Sequence, residues 1–242
     1  MADNDISIII PCYPPDIGNI ESMLESLRRQ TCLPNEVIVA LSETSKKEGA
    51  NLARKYLNYP FPVKFCTTGE RQFAGQNRNR GAEIAKYGIF VFCDADDVCH
   101  PQKIEITKDV FSKYNPKLFL HGFKRDDCKF EKYDKNKIPF IFSRQLMVFT
   151  FGDPPKRDRS KFIFFDRPAT EKWMEGAHPH HGYPAVRRDV FEKVKYGSLR
   201  VAEDTSFCLD VLWQFKSAVY ADISLVNYIY ANNPKRIQKT PA

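Results

Sequence analysis

The sequence predicts an α/β fold: a mostly parallel central sheet flanked by helices, followed by a less regular second half. Two observations carry this. Through the first 115 residues, short apolar runs alternate with stretches of helical periodicity, the pattern of repeated βα units. One of those runs, residues 89–93, is apolar at every position, as a strand covered on both faces must be.

Each element follows in order. Residues 6–10 form the first strand, and Ile20, Met23, Leu24 and Leu27 then fall on one helical face. Residues 37–41 make the second strand and lead into a helix through Leu52, Ala53, Tyr56 and Leu57. Residues 63–66 are the third strand, 82–87 close a third helix, and 89–93 are the fourth strand, expected at the centre of the sheet. Pro101 opens a helix carrying Ile104, Phe111 and Tyr114. After Pro116 the alternation stops. Residues 118–123 and 138–151 are aromatic-rich strand candidates separated by the charged stretch 124–137, while 153–168 and 177–184 read as loops able to move over a site. A helix returns over 205–215, where Phe207, Cys208, Val211, Leu212 and Phe215 share a face, and residues 218–230 supply more strand before a basic tail.

Composition narrows the function. A 242-residue chain that is 43% hydrophobic builds a sizeable core, which excludes disorder as a description of the whole. The net charge of +7 suits an enzyme for anionic ligands, a nucleic-acid binder or a membrane-surface protein equally. Its basic clusters are short, at 156–159 and 235–236, so a solvated basic surface is favoured over a nucleic-acid stripe. Seven cysteines without a CxxC pair read as reduced intracellular thiols. The opening apolar run, interrupted by Ser7, is too short for a signal-peptide core or a membrane span. The expectation is a soluble cytoplasmic protein, compatible with peripheral membrane association, and nothing sets its oligomeric state.

In open α/β sheets ligands sit at the carboxyl ends of the strands. Three loops qualify: Pro11-Cys12-Tyr13-Pro14 after the first strand, Ser42-Glu43-Thr44 after the second and Asp94-Ala95-Asp96-Asp97 after the fourth. With strand order 3-2-1-4 these ends are neighbours and serve one pocket. The acidic turn is the strongest signal, because clustered carboxylates repel unless a cation compensates. A hard divalent ion, Mn2+ or Mg2+, bridging two phosphates suits them; the plain alternative is one aspartate capping the next helix and the others facing solvent.

Four segments, in order, resemble the inverting family-two glycosyltransferases of GT-A fold. They are Ser7-Ile8-Ile9-Ile10-Pro11-Cys12-Tyr13; Gly75-Gln76-Asn77-Arg78-Asn79-Arg80-Gly81, similar to a GxxRNxG segment; Asp94-Ala95-Asp96-Asp97, similar to a DxD motif with Pro101 and Glu105 following; and the acidic pair Glu203-Asp204 before a helix. The resemblance implies a GT-A-type, Rossmann-like sheet in a single domain, with residues 1–115 as the nucleotide-sugar-binding half and 116–242 as the acceptor-binding half. It implies metal-dependent transfer of a sugar from a nucleoside-diphosphate sugar to an acceptor hydroxyl, with inversion at the anomeric carbon. Asp94 would lie near ribose and metal, Asp96 would be the principal metal ligand, Arg78 would help hold the base and Asp204 would be the catalytic base. Pro11 and Tyr13 belong to the same donor site. The family's aspartate pair after strand two is replaced by Leu41-Ser42-Glu43, so thymidine and guanosine diphosphate sugars stand beside UDP sugars as donors. Glu43 reads as a turn residue that could also touch the nucleoside.

The acceptor would be a glycan, glycoprotein or lipid-linked molecule, with His180, His181, Tyr183 and Glu203 as weaker candidate contacts. Trp173 and Tyr183 could stack on a sugar face, although core packing is the commoner fate of such rings, and Arg236 could clamp a diphosphate or simply be solvated. Asp204 could be only a helix cap, and Arg78 part of a surface charge cluster. The rival readings are weaker. A haloacid-dehalogenase-type phosphatase would match Asp94-Ala95-Asp96-Asp97-Val98 in part, but its nucleophile loop normally follows the first strand. A nucleotidyltransferase lacks its glycine-rich loop near residue 12, and a nucleic-acid-binding module leaves the carboxylates unexplained.

Overall fold

The computed structural model describes residues 4–125, 129–143, 183–200 and 202–229. Among them the parallel half forms as expected. Strands β1 (Ile6–Cys12), β2 (Glu36–Leu41), β3 (Val63–Thr67) and β4 (Ile89–Phe92) pair in parallel in the order β3-β2-β1-β4. β1, β2 and β4 are buried along their whole length. Successive side chains leave opposite faces of a strand, so Ile8 and Ile10 enter one core layer while Ile9 enters the other.

The first layer is covered by α1 (Ile20–Arg28), which buries Ile20, Met23, Leu24 and Leu27, and by α4 (Lys103–Tyr114). α2 (Lys46–Lys55) follows β2 and opens on a capping box, Ser45 and Glu48 each satisfying the other's backbone N–H. The second layer is covered by α3 (Ala74–Ile84) together with two later helices, α5 (Arg188–Lys193) and α6 (Glu203–Phe215).

Beyond β4 the sheet becomes mixed. It continues through β8 (Ala185–Arg187), β6 (Leu118–Arg125) and β9 (Ala218–Tyr228), to which β5 (Val98–Cys99) and β7 (Phe140–Ser143) are paired. β8 runs antiparallel between β4 and β6, whereas β6 and β9 are parallel. The sequence shows neither β8 nor α5, since three and six residues are too few to express a period. α6 begins at Glu203 rather than 205, preceded by Ala202 in a left-handed conformation (φ 61°). Among the described residues no helix is long and apolar enough to cross a membrane.

Candidate active site at the carboxyl ends of the strands

The ends of β1, β2 and β4 open onto one cleft of about 770 Å³. After β1, Tyr13 stays extended and Pro14 starts a short 3-10 turn, Pro14–Asp16, which folds Asp16 back onto the cleft. After β2, Ser42 is fully buried and Glu43 takes a left-handed backbone (φ 52°), its N–H donating to the Glu70 carbonyl at 3.1 Å. Such a backbone costs a non-glycine residue about 1 kcal/mol or more. Here it turns Glu43 onto the cleft wall while Ser42 serves the scaffold. After β4, the Cys93 N–H donates to the Ile9 carbonyl at 3.1 Å, so strand pairing persists to the residue before Asp94.

The run Asn77-Arg78-Asn79-Arg80 in α3 holds these ends together. Consecutive helical side chains point roughly 100° apart, so four polar residues in a row reach four places. Asn77 donates to the Cys12 carbonyl and to the Ser42 hydroxyl, both at 3.2 Å, joining the ends of β1 and β2. Arg80 donates to the Cys66 carbonyl at 2.6 Å, and to Asn77, on the side of β3. Asn79 exchanges two hydrogen bonds with the backbone of Tyr196. Arg78, only 2% exposed, spans Asp94 at 2.7 Å and Glu203 at 2.6 Å and lies 5.1 Å over the Tyr196 ring. Burial opposes the Arg78 charge, but Asp94, Glu203 and Asp204 outweigh it and hold the guanidinium above its ordinary pKa.

The three aspartates of the acidic turn divide. Asp94 and Asp96 line the cleft, whereas Asp97 is 1% exposed, takes a hydrogen bond from the Tyr183 hydroxyl and accepts the Ile229 N–H at 2.9 Å. Burial, then Asp94 and Asp96, push the Asp97 carboxyl up to about 8 against the pull of those two donors. Asp97 thus ties the turn to the end of β9 and caps no helix. Burial, followed by Asp16 and Asp96, also raises the Tyr13 phenol, which marks a shared negative potential between the β1 and β4 loops.

Pro11, Tyr13, Glu43, Arg78, Asp94, Asp96 and Glu203, all singled out from sequence, line this one cleft. Asp204 stands beside it, half-buried, accepting the Thr205 N–H at 2.7 Å; Ala202 rather than Asp204 is the N-cap residue of α6. Arg78 lines the cleft and is engaged by two carboxylates, so its guanidinium orders the site's acids. Tyr183 lies in the core, 1% exposed with its ring parallel to His121, away from the cleft lining. His178, His180, His181, Trp173 and Arg236 fall outside the described residues. Sequence reasoning passed over Asp16, Arg71 and Arg200 as site residues, although each lines the cleft; they come from short irregular segments, and only the Pro14-Pro15 turn that returns Asp16 left a signal.

Whether a divalent cation suits these residues turns on the donor set. Among the described residues no group of three or more His, Cys, Asp or Glu could by itself hold a metal. Two carboxylates sharing a cleft suit Mg2+ or Mn2+ nonetheless, since such ions are commonly bound by one or two carboxylates and completed by phosphate oxygens and water.

Residues 7–195 match the family model described as glycosyl transferase family 2. The chain belongs to that family. Among its relatives, the uncharacterized glycosyltransferase YwdF of Bacillus subtilis is 25% identical over 220 residues, covering 88% of this chain and 75% of its own. The uncharacterized glycosyltransferase MJ1057 of Methanocaldococcus jannaschii is 22% identical, covering 59% of this chain and 53% of its own length. Among solved structures, S. aureus TarS 1-349 in complex with UDP-GlcNAc superposes with a TM-score of 0.67 at 15% identity, covering 98% of this chain and 62% of that one. That likeness carries the fold, a GT-A-like α/β sheet. This family-two chain spans from about half to three quarters of the length of these relatives.

Proposed function

We propose that the chain is a metal-dependent glycosyltransferase that moves a sugar from a nucleoside-diphosphate sugar to an acceptor hydroxyl with inversion. The observation that carries the reading is the convergence of Asp94, Asp96, Tyr13 and Glu43 on one cleft at the carboxyl ends of β4, β1 and β2, in a chain of this family. Residues 1–115 would hold the donor, and 116–242 the acceptor side, of one domain.

Asp94 and Asp96 would hold Mn2+ or Mg2+, which when bound supplies positive charge for the departing diphosphate. Arg71 and Arg200, exposed on the cleft wall, add guanidinium forks matched to phosphate oxygens. Pro11, Tyr13 and Glu43 frame the nucleoside. TarS has been solved with UDP and with UDP-GlcNAc, which puts UDP sugars first among the donors here. The acceptor supplies a hydroxyl on a glycan, glycoprotein or lipid-linked molecule. Asp204, which enters no ion pair among the described residues, takes the proton from that hydroxyl, whereas the Glu203 carboxylate is committed to Arg78. Attack opposite the leaving diphosphate inverts the anomeric carbon in a single displacement.

Donor hydrolysis and transfer measured across a panel of nucleotide sugars test this. Asp96→Ala is expected to lose Mn2+-stimulated turnover of both kinds. Asp204→Asn should bind donor normally but transfer about 100- to 10,000-fold more slowly, the range of a lost general base. Turnover indifferent to chelation and to Asp96→Ala would defeat the metal role, and full transfer by Asp204→Asn would remove Asp204 from the chemistry.

A further inference from the structure

Two cysteines bracket the acidic turn. Cys93 precedes Asp94 directly, Cys99 follows two residues after Asp97, and five residues separate them. Their sulfurs lie 3.8 Å apart in the core beneath the turn, Cys93 fully buried and Cys99 2% exposed. Three further features surround the pair. The ammonium of Lys103, on a side chain 0% exposed, acts electrostatically on both sulfurs. Cys99 lines a second cavity of about 480 Å³, shared with Ser22, Ser26, Pro101 and Phe130, the side from which a peroxide would approach. The Cys99 N–H also donates to the Ser26 hydroxyl at 3.0 Å, which fixes Cys99 against α1 with its sulfur facing Cys93.

From this geometry we propose that Cys93 and Cys99 form a peroxide-sensitive dithiol whose closure to a disulfide displaces the acidic turn between them. The chemistry balances with hydrogen peroxide as oxidant. The Cys99 thiolate attacks one peroxide oxygen; the O–O bond breaks, a sulfenic acid forms, and hydroxide leaves to take up the thiol's proton as water. The Cys93 sulfur then attacks the Cys99 sulfur, the S–O bond breaks, and the second water carries off the Cys93 proton. Each sulfur loses one electron and the peroxide is reduced to two waters. A disulfide needs its sulfurs about 2.05 Å apart, so closure draws the two ends of the turn together and moves Asp94, the next residue after Cys93. A misplacement of about 1 Å at a reacting site can cost on the order of 100-fold in rate.

The test uses the reduced full chain, treated with hydrogen peroxide, blocked with an alkylating reagent and mapped by mass spectrometry, with amide hydrogen exchange of residues 94–98 and donor hydrolysis followed in parallel. The expected result is a 93–99 cross-link two hydrogens lighter than the dithiol, altered exchange in 94–98, and hydrolysis lowered by about 100-fold, all reversed by dithiothreitol and all absent in Cys99→Ser. If that variant does not fold, the wild-type map decides alone. Thiols that stay alkylatable, or oxidise singly to sulfinic acids, overturn the proposal, as does a cross-link that leaves exchange and hydrolysis unchanged. The loss of hydrolysis rests on the glycosyl-transfer reading. Reduced protein without any donor turnover would sink that reading, while the map and the exchange of 94–98 would still decide the fate of the pair.

Discussion

A guanidinium closed off from water, with a carboxylate at each of its terminal nitrogens, is stable only as a set of three. Arg78 fixes Asp94 on one side of the cleft and Glu203 on the other. Replacing it with Met leaves two part-buried carboxylates facing each other without a counter-charge, a loss that costs about 3 to 5 kcal/mol in buried pairs. The Asp94 side chain is 27% exposed and Glu203 12%, so water relieves part of this, and about 3 kcal/mol is the expected loss in a urea titration with unchanged slope. Arg78→Lys should recover less than half, because a point charge cannot fork between two acids. The sequence announces Arg78, Asp94 and Asp96 by their motifs, yet not that the arginine serves the acids; that depends on Glu203, which lies 125 residues away. Glu43 and Ala202 show the same limit. Both are left-handed, and only glycine advertises that backbone in a sequence.

The apolar runs of β1, β2 and β4 and the face of α1 are legible because burial on both sides, or on one stripe, leaves a period in the residues. β5, β8 and α5 are too short to leave one. α3 is legible only in part: residues 82–87 read as its close, yet the helix ends at Ile84, and its glycines mark where it meets its neighbours. A Cβ at Gly81 would fall 2.8 Å from the Ile9 γ2 methyl, and one at Gly75 would fall 2.8 Å from the Gly197 carbonyl oxygen and 3.2 Å from the Glu203 γ carbon. Alanine favours a helix over glycine by about 1 kcal/mol, while overpacking costs about 1 to 3. Gly81→Ala is therefore expected to lose about 1 kcal/mol in thermal unfolding. Gly75→Ala presses on backbone and should also lower donor hydrolysis by moving Glu203. The opposite end of the sheet is stapled by Glu36, 1% exposed, which receives Lys64 from β3, the Ser7 hydroxyl from β1 at 2.7 Å and the Lys86 N–H at 2.6 Å. Burial pushes its carboxyl up, but these three donors outweigh it and hold it below the ordinary range. A depressed folded value means stability present at neutral pH and lost as pH falls below about 4. Wild type should melt above Glu36→Gln at pH 7, and the gap should close on acidification toward pH 3; a constant gap would show that Glu36 contributes only packing.

The whole chain carries a net charge of +7, yet its cleft gathers five carboxylates (Asp16, Glu43, Asp94, Asp96 and Glu203) against three arginines. A basic molecule with an acidic cleft draws anions to its surface but resists them at the site itself. A nucleoside diphosphate should therefore bind weakly alone, and a divalent cation weakly alone, while the two together satisfy both the carboxylates and the phosphates. A ligand at 100 times its Kd stabilises the folded state by about 2.7 kcal/mol, and for a domain of this size each kcal/mol raises Tm by about 2 to 4 °C. With Mn2+ and UDP together, a rise of roughly 5 to 10 °C is expected, against a degree or two for either alone. Asp96→Ala should reduce the joint shift to that of the separate components, because one of the two aspartates proposed to hold the cation is gone. Equal shifts in wild type and Asp96→Ala, or a full shift with UDP and chelator, would place the diphosphate on the arginines and take the cation out of donor binding.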